Sequence, residues 1–329
     1  MQIIKPPTLK PGDTIGIIAP SDLLPETNFT KSLAIVESWG LKVKIGKYVK
    51  EKFLDYMAGT IEQRQEDLRS MIYDPEVKAI WSIRGGYCCM DVLPVFDEKT
   101  AKYLRKNPIW FIGFSDICTL LNVMTSLGVA SIHGPTFWQF FYWDQKSQDW
   151  LRRLLFGEIK DQEVVPLSLT PLVLGDVSGR LLVSDVDILI RLLGTKFDPI
   201  KNCDDDIILC LEETSNWTED VIRSLDQILN HTDVFKIKGI ILGRFVGLHS
   251  NDYPKWAASK TIYEHLTDRV RLFHQVPVYK TWDFGHSQYD ATPDWKIKLL
   301  KLAKKPETFT TLLNGYSAEI KKDILYVRI

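Results

Sequence analysis

A serine at position 115 stands where an apolar strand is predicted to turn into a helix. Residues 110–114, WFIGF, have the pattern of a buried strand, and a helical pattern begins directly after Asp116. A side chain at such a sharp turn projects from the sheet, close to the positive end of the helix dipole and to a backbone amide that can donate to an oxyanion. Ser115 is therefore a candidate nucleophile. The alternative is that Ser115 or Asp116 only caps the helix, and since the second glycine of G-x-S-x-G is missing, both interpretations stay open.

A nucleophilic serine requires a base, and the base requires an acid that orients it. Of the six histidines, His133 and His286 both follow a predicted strand and neighbour a glycine, and the residues alone do not separate them. Glu212 and Glu213 end the apolar strand 207–213, IILCLEE. Because neighbouring side chains of a strand point to opposite faces, only one of these two glutamates can face a given site.

A glycine pair supplies the second unusual turn. Residues 84–87, RGGY, follow the predicted strand 77–83 and precede a helical pattern. Glycine here either allows the backbone to approach a ligand and aim an amide at an oxyanion, or only permits a tight turn. A phosphate-binding loop is not expected, because G-x-G-x-x-G and GK[ST] are both absent. Arg84 is a candidate partner for a substrate carboxylate, or else a structural arginine.

Composition excludes several classes of protein. The 329 residues are 45% apolar and 25% charged, as in ordinary globular proteins, and the net charge of -1 with no long basic run argues against a nucleic-acid partner. No signal peptide and no apolar stretch long enough for a membrane helix is found in the sequence, so we expect a cytoplasmic protein without a membrane partner. Five cysteines without a CxxC pair predict reduced thiols and no metal site.

Strands alternate with helices along the chain, which predicts an α/β fold with a mostly parallel sheet. The helix over 60–74 opens with a capping box, since Gln63 follows Thr60 by three positions. A stretch rich in Pro, Ser and Gly lies near residue 170 and is typical of a domain junction. We therefore expect a domain that carries the nucleophile, a linker and a second α/β domain, with the respective limits 1–165, 166–175 and 176–329.

Seven motifs resemble those of the LD-carboxypeptidase family, which includes muramoyltetrapeptide carboxypeptidases and microcin C immunity-type peptidases. The motifs occur in order along nearly the whole chain, which makes the resemblance far more specific than any single motif. They are IIAPSD (17–22), AGTIEQRQEDLRSMIYDPEVKAIWSIRGGY (58–87), FIGFSD (111–116), HGP (133–135), LEE (211–213), GRF (243–245) and FGH (284–286).

The resemblance implies a role for each candidate. Ser115 would be the nucleophile, Glu212 the acid and His286 the base, with the backbone amides of Gly86 and Asp116 as oxyanion donors. It also implies a flavodoxin-like N-terminal domain with a nucleophile elbow, a smaller C-terminal α/β domain and an active site in the cleft between them. A homodimer is expected, and no cofactor or metal.

The implied reaction is hydrolysis of an L,D-amide, most simply the release of terminal D-alanine from cytoplasmic peptidoglycan-derived peptides. One alternative substrate is a peptidyl- or aminoacyl-nucleotide, whose base could stack on Trp217 or on the aromatic cluster 137–143. A second alternative is a catalytically silent ligand-binding protein. Three departures from the family pattern bear on the substrate: Cys88 after RGGY, Val183–Asp185 in place of a glycine pair and asparagine, and the stretch after His286.

Overall fold

The chain forms two compact units in a computed structural model, which describes residues 2–23, 29–249, 260–287 and 308–328. The first unit comprises residues 1–159 and 311–315, and the second comprises 160–310 and 316–329. The expectation of a smaller second domain is corrected, because the second unit builds a larger sheet and the two units have nearly equal length.

Fourteen strands are found in the described residues. They are β1 (Thr14–Ile18), β2 (Lys42–Ile45), β3 (Val77–Ser82), β4 (Trp110–Gly113), β5 (Ser131–His133), β6 (Glu163–Val164), β7 (Thr170–Val173), β8 (Val177–Asp185), β9 (Ile207–Thr214), β10 (Ile237–Val246), β11 (Val278–Lys280), β12 (Leu312–Asn314), β13 (Ser317–Lys321) and β14 (Ile324–Arg328).

Eight α-helices lie between these strands in the same described ranges. They are α1 (Phe29–Ser38), α2 (Ile61–Tyr73), α3 (Glu98–Lys106), α4 (Cys118–Ser126), α5 (Gln145–Leu155), α6 (Val186–Leu192), α7 (Thr218–Leu229) and α8 (Ile262–Phe273). None of them is both long enough and apolar enough to cross a bilayer.

The first unit has a six-stranded sheet in the order β12-β5-β4-β3-β1-β2. Strands β1 to β5 are parallel and follow the flavodoxin-like order, which confirms the predicted fold class, whereas β12 is antiparallel to β5. All five residues of β1 are buried, and Trp81 of β3 and Trp110 of β4 fill the core. In such sheets ligands bind at the carboxyl ends of the strands where the strand order reverses, which here is between β1 and β3.

The predicted capping box of α2 is present. The Thr60 hydroxyl accepts a hydrogen bond from the Gln63 amide at 3.3 Å, and Gln63 Oε1 accepts one from the Thr60 amide at 2.8 Å. The helix therefore starts where the local signal places it, because both orphan backbone donors find side-chain partners.

The second unit has an eight-stranded mixed sheet in the order β6-β14-β13-β8-β9-β10-β11-β7. Strands β8 to β11 are parallel and form its centre, and antiparallel strands flank them on both sides. Aliphatic side chains of the central strands pack with helices α6, α7 and α8 in one core. Strand β7 lies within 166–175, the segment predicted as a linker. This segment forms a strand despite its turn-rich composition because its backbone pairs with β11.

The five cysteines are all free and buried. Burial raises the pKa of the Cys89 thiol well above its ordinary value, and burial raises that of Cys210 as well. Buried thiols of this kind are inert and serve as small apolar side chains. The predicted reduced state agrees with this arrangement.

Candidate active site

Ser115 adopts a backbone conformation that few serines adopt. Its φ is 63°, in the left-handed region, and the residue lies two positions after Gly113, the last residue of β4. A Cβ at Gly113 would come within 2.6 Å of Ile117 Cγ2, so the strand can turn this sharply only with glycine there. A strained residue at a strand-to-helix turn is typical of a nucleophile elbow.

Ser115 and Asp116 do not cap the helix that follows. The N-cap positions are Phe114 for a short 3₁₀ turn and Ile117 for α4, and neither caps with its side chain. The Asp116 carboxylate instead accepts hydrogen bonds from Ser21 Oγ at 2.5 Å and from the Cys89 amide at 2.8 Å. Capping is therefore not the reason for a serine at position 115.

The predicted glycine pair lies against this turn. A Cβ at Gly85 would lie 2.9 Å from both Cβ and Oγ of Ser115. Gly86 has a φ of 148°, and a Cβ there would lie 2.1 Å from Asp22 Oδ1 and 2.6 Å from Ser21 Oγ. Both positions require glycine because three loops converge at the carboxyl ends of β1, β3 and β4.

A buried arginine holds two of these loops. Arg64 of α2 is 1% exposed, and its Nη1 donates to the carbonyls of Pro20 and Cys88, each at 2.9 Å. Its Nη2 donates to Asp91 Oδ2 at 2.7 Å. The guanidinium thus ties the segment after β1 to the segment after β3, since its planar fork donates in several directions.

Asp22 is a buried carboxyl in the same region. Burial raises the pKa of Asp22 above its ordinary value, while the charge of Arg84 and a hydrogen bond from the Tyr87 amide oppose the rise. The sequence places Asp22 only at a strand end and assigns it no role. Its position next to Gly86 is a contact between residues 64 apart in sequence, which no local pattern signals.

The second unit brings Glu212 and His286 together. Glu212 is 0% exposed at the end of β9, and His286 is 5% exposed. Glu212 Oε2 accepts hydrogen bonds from His286 Nδ1 at 2.6 Å and from the His286 amide at 3.0 Å. With Nδ1 donating to the carboxylate, Nε2 is left as the proton acceptor of the ring. The arrangement is that of a base oriented by an acid.

Glycines make room for this pair as well. Gly285 has a φ of 105°, and a Cβ there would lie 2.8 Å from Glu212 Cβ. A Cβ at Gly243 would lie 2.6 Å from the ring of Phe284. The GRF and FGH motifs are thus explained by packing, because they allow residues 284–286 to approach β9 and β10 closely.

Two further carboxyls lie near the pair. Asp185 ends β8 and accepts a hydrogen bond from the Ile188 amide at 3.1 Å, and Glu213 accepts one from the Asp187 amide at 3.1 Å. Burial raises the pKa of Asp185 well above its ordinary value, and burial, assisted by the charge of Glu212, raises the pKa of Glu213 to about 8. Sequence reasoning noted Asp185 only as a departure from the family pattern.

Asp185, Glu212 and His286 together offer donor atoms that lie within 4.8 Å of one another, a set that could ligate a divalent metal. A search by residue spacing misses this set because its members are far apart in sequence. The 2.6 Å between His286 Nδ1 and Glu212 Oε2 is a hydrogen-bond distance, whereas two ligands of a tetrahedral zinc stand roughly 3.3 Å apart. The geometry between these two atoms therefore favours a proton over a metal ion.

The other histidine candidate lies in the first unit. His133 ends β5, is 3% exposed and packs edge-on against Phe114, with the ring centroids 6.1 Å apart. It is thus part of the sheet interior beside β4. The two histidines that the sequence left equal are in different environments, and His286 is hydrogen-bonded to Glu212, one of the candidate glutamates.

The aromatic residues expected near a ligand divide into two groups. Phe137 and Phe140 are fully buried and pack on Trp81, so they belong to the core. Trp138 is half-buried, and the guanidinium of Arg84 lies 6.0 Å from its ring centroid. Packing therefore accounts for the most buried members of the cluster.

Trp217, the remaining candidate, lies in the second unit at the start of α7. Its side chain is 42% exposed, and its ring lies 5.4 Å from the ring of His249. An exposed indole is available for contact with a ligand. Of the departures noted in the sequence, the stretch after His286 lies outside the described residues from position 288 onward.

Comparison with known proteins identifies the family. The family model for the LD-carboxypeptidase N-terminal domain matches residues 15–134, and that for the C-terminal domain matches residues 178–293. Together the two matches span well over half of the chain. The first contains Gly86, Ser115 and Asp116, and the second contains Glu212 and His286.

Individual relatives agree with this assignment. The chain is 28% identical to the murein tetrapeptide carboxypeptidase of Pseudomonas aeruginosa, over 87% of this chain and 92% of that protein. It is 26% identical to the microcin C7 self-immunity protein MccF of Escherichia coli, over 88% and 90% of the two chains. A solved structure of MccF in complex with aspartyl sulfamoyl adenosine has the same fold, with a TM-score of 0.75 at 19% identity over 99% and 98% of the chains. The chain belongs to the LD-carboxypeptidase family.

Proposed function

We propose that the protein is a serine peptidase that hydrolyses an amide between an L- and a D-residue, most simply releasing terminal D-alanine from a peptidoglycan-derived peptide. Family membership and the relative named for murein tetrapeptides support this substrate class. The observation that carries the proposal is the hydrogen bond from His286 Nδ1 to the buried Glu212, because it leaves Nε2 as a base in a defined orientation.

In the proposed reaction, His286 Nε2 takes the proton of the Ser115 hydroxyl as Oγ bonds to the substrate carbonyl carbon. Glu212 stabilises the imidazolium that forms. The amides of Gly86 and Asp116 donate to the oxyanion of the tetrahedral intermediate, which collapses to an acyl-enzyme as the imidazolium protonates the leaving amine. Water, deprotonated by His286, then attacks the ester carbon. The bond between this carbon and Oγ breaks, the acid product leaves, and the imidazolium returns its proton to Ser115 Oγ.

The charges around the base support this assignment. Glu212 must be ionised to stabilise an imidazolium, and further negative charges beside it would oppose its ionisation. Burial raises the pKa of Glu213 to about 8, so this carboxyl holds a proton over most of the neutral range. The pKa of Asp185 is also raised by burial. We infer that Glu213, protonated over most of the neutral range, adds little negative charge beside Glu212.

A second candidate function is hydrolysis of a peptidyl- or aminoacyl-nucleotide by the same three residues. The exposed indole of Trp217 favours it, because an exposed aromatic ring can stack on a base. MccF binds aspartyl sulfamoyl adenosine. Incubation with a murein tetrapeptide and with aspartyl sulfamoyl adenosine, followed by mass spectrometry of the products, distinguishes the two. If the substrate is the peptidoglycan-derived peptide, Arg84 is the candidate partner for its carboxylate.

Two further expectations stay predictions, one drawn from the family resemblance and the other from the composition of the sequence. One is a homodimer, which sedimentation measures. The other is a cytoplasmic location, which fits a substrate taken from recycled peptidoglycan.

A catalytically silent binding protein is the third candidate function, and a fluorophosphonate probe tests it, because only an activated serine is labelled.

Ser115→Ala should reduce kcat/KM by about 10³-fold or more while the protein stays folded, because binding and oxyanion stabilisation cannot replace the nucleophile. Steady-state kinetics and circular dichroism measure the two properties. The triple variant with alanine at Cys88, Cys89 and Cys118 is the matched control and should stay within about tenfold of the wild type. A folded Ser115→Ala protein with near-normal turnover would exclude the serine mechanism.

Glu212→Gln should lower kcat by roughly 10²-fold or more, whereas Glu213→Gln should change it by less than about fivefold. The reason is that only Glu212 bonds the imidazole, while Glu213 accepts from the Asp187 and Thr214 amides. Parallel kinetics of the two variants measure the difference. Equal losses would show that the acid has been assigned to the wrong glutamate.

Glu213→Gln should gain stability relative to the wild type as the pH rises. A carboxyl whose pKa rises from 4.5 in the unfolded chain to about 8 in the folded one stabilises the fold fully below pH 4.5, and this stabilisation is lost as the pH rises through 8. The variant lacks this loss, so its advantage should grow by on the order of 1 to 3 kcal/mol between pH 4.5 and 8.5.

Urea unfolding across this pH range measures the effect. Glu264→Gln is the control, because hydrogen bonds in the capping box of α8 lower the pKa of Glu264 and its contribution has the opposite sign. A stability difference for Glu213→Gln that does not vary with pH would mean that Glu213 is ionised in the folded protein at neutral pH.

Prolonged treatment with EDTA should leave activity unchanged, because the proposed reaction uses a proton and not a metal at His286 Nδ1. Activity is compared before and after chelation and after addition of zinc. Loss of activity that zinc restores would assign Asp185, Glu212 and His286 to a metal centre and refute the triad.

A further inference from the structure

Asp22 occupies the place in the first unit where strand order reverses. It follows β1, and Gly86 follows the neighbouring strand β3. The ends of the two strands lie side by side, because the amide of Ile83, which follows β3, donates to the carbonyl of Ile18, the last residue of β1, at 2.8 Å. Asp22 therefore faces the glycine turn directly, and its side chain is only 7% exposed.

Asp22 holds the glycine turn on both sides of Gly86. Its amide donates to the Gly85 carbonyl at 3.3 Å. Its carboxyl lies close enough to the Tyr87 amide for that N–H to lower its pKa. The two peptide groups that flank Gly86 thus both interact with one residue. Because the peptide groups before and after Gly86 are both held, the φ and ψ angles of Gly86 are restricted. The direction of its N–H is therefore fixed as well.

The Asp22 carboxyl also leaves no room for a side chain at position 86. A Cβ on Gly86 would lie only 2.1 Å from Asp22 Oδ1. Within the described part of the chain this oxygen has no hydrogen-bond partner.

Ser21 connects the segment that contains Asp22 to the turn that carries Ser115 and Asp116. Its hydroxyl donates to Asp116 Oδ2 at 2.5 Å and accepts from the Cys88 amide at 3.4 Å. The Ser21-Asp22 segment therefore bonds both the turn that carries Gly86 and the turn that carries Asp116. These are the two residues whose amides are the proposed oxyanion donors.

We propose that Asp22 is a positioning residue that fixes the Gly86 amide toward the oxyanion, an inference that rests on the proposed role of Gly86. Asp22 itself touches no reacting atom. Its removal frees the Tyr87 amide and relaxes the turn, so the oxyanion loses a well-placed donor while substrate binding is unaffected. Loss of one oxyanion donor costs about 10²- to 10³-fold in kcat, and displacement of a donor costs less.

The test compares Asp22→Ala with Asp22→Asn, which keeps a carbonyl oxygen for the Tyr87 amide. Asp22→Ala should lower kcat by about 10- to 100-fold with KM within about threefold, and Asp22→Asn should stay within about threefold of the wild type in both. Asp97→Ala, which removes the N-cap of α3 in the same unit, controls for general loss of stability and should retain normal kcat. Hydrogen exchange of the Tyr87 amide, measured by NMR, should accelerate only in Asp22→Ala.

The outcomes separate this inference from the proposed function. Faster exchange at Tyr87 with unchanged kcat, or equal loss of kcat in the alanine and asparagine variants, would overturn the positioning role while the peptidase proposal stands. If Ser115→Ala is fully active, the proposed function fails whatever Asp22 does. If Asp22→Ala does not fold, Asp22→Asn still decides, because a loss of kcat above about tenfold in that variant contradicts positioning by the acceptor oxygen.

Discussion

A carboxylate removed from water must find its hydrogen-bond donors inside the protein, and Glu212 meets this requirement with His286. One oxygen of Glu212 accepts both the ring and the backbone N–H of the histidine. To deliver both donors, the chain must pass very close to β9, which only a glycine at position 285 allows. The burial of a single acid thus determines the conformation of the 284–286 segment and the orientation of the imidazole.

In the first unit, close packing of backbone segments determines the structure around Ser115. Three strand ends converge there, and the glycines at 85, 86 and 113 are the positions where a side chain would collide with a neighbouring loop. The strain at Ser115 is stabilised by this packing, since Gly85 lies directly against its side chain. Precision at such a site comes from many contacts around it, as with the Arg64 guanidinium that joins the segments after β1 and β3.

Local signals were sufficient for much of the fold. The buried strand β3, the capping box of α2 and the turn at Ser115 each depend on residues within a few positions of one another, and all were predicted from sequence. Strand alternation likewise predicted that only one of Glu212 and Glu213 bonds the imidazole. The family and the two-domain α/β fold followed from motifs that run in order along the chain.

Features that depend on distant partners were not predictable in this way. His133 and His286 have similar neighbours in sequence, and only the contact of His286 with a residue 74 positions earlier distinguishes them. Strand β7 is irregular by composition and becomes a strand through β11. Asp22 and Asp185 acquire their environments from segments that the sequence does not link to them.

The three residues of β12 affect how the protein is made. They come after residues 160–310, which belong to the second unit, yet they complete the sheet of the first unit by pairing with β5, and the Trp150 indole donates to the Thr311 carbonyl beside them. During synthesis, the edge of β5 therefore stays unpaired until residue 315 has left the ribosome, long after the rest of that unit. The order of folding is thus not simply the order of the domains, and a contact of such long sequence separation is one that slows folding and exposes a strand edge meanwhile.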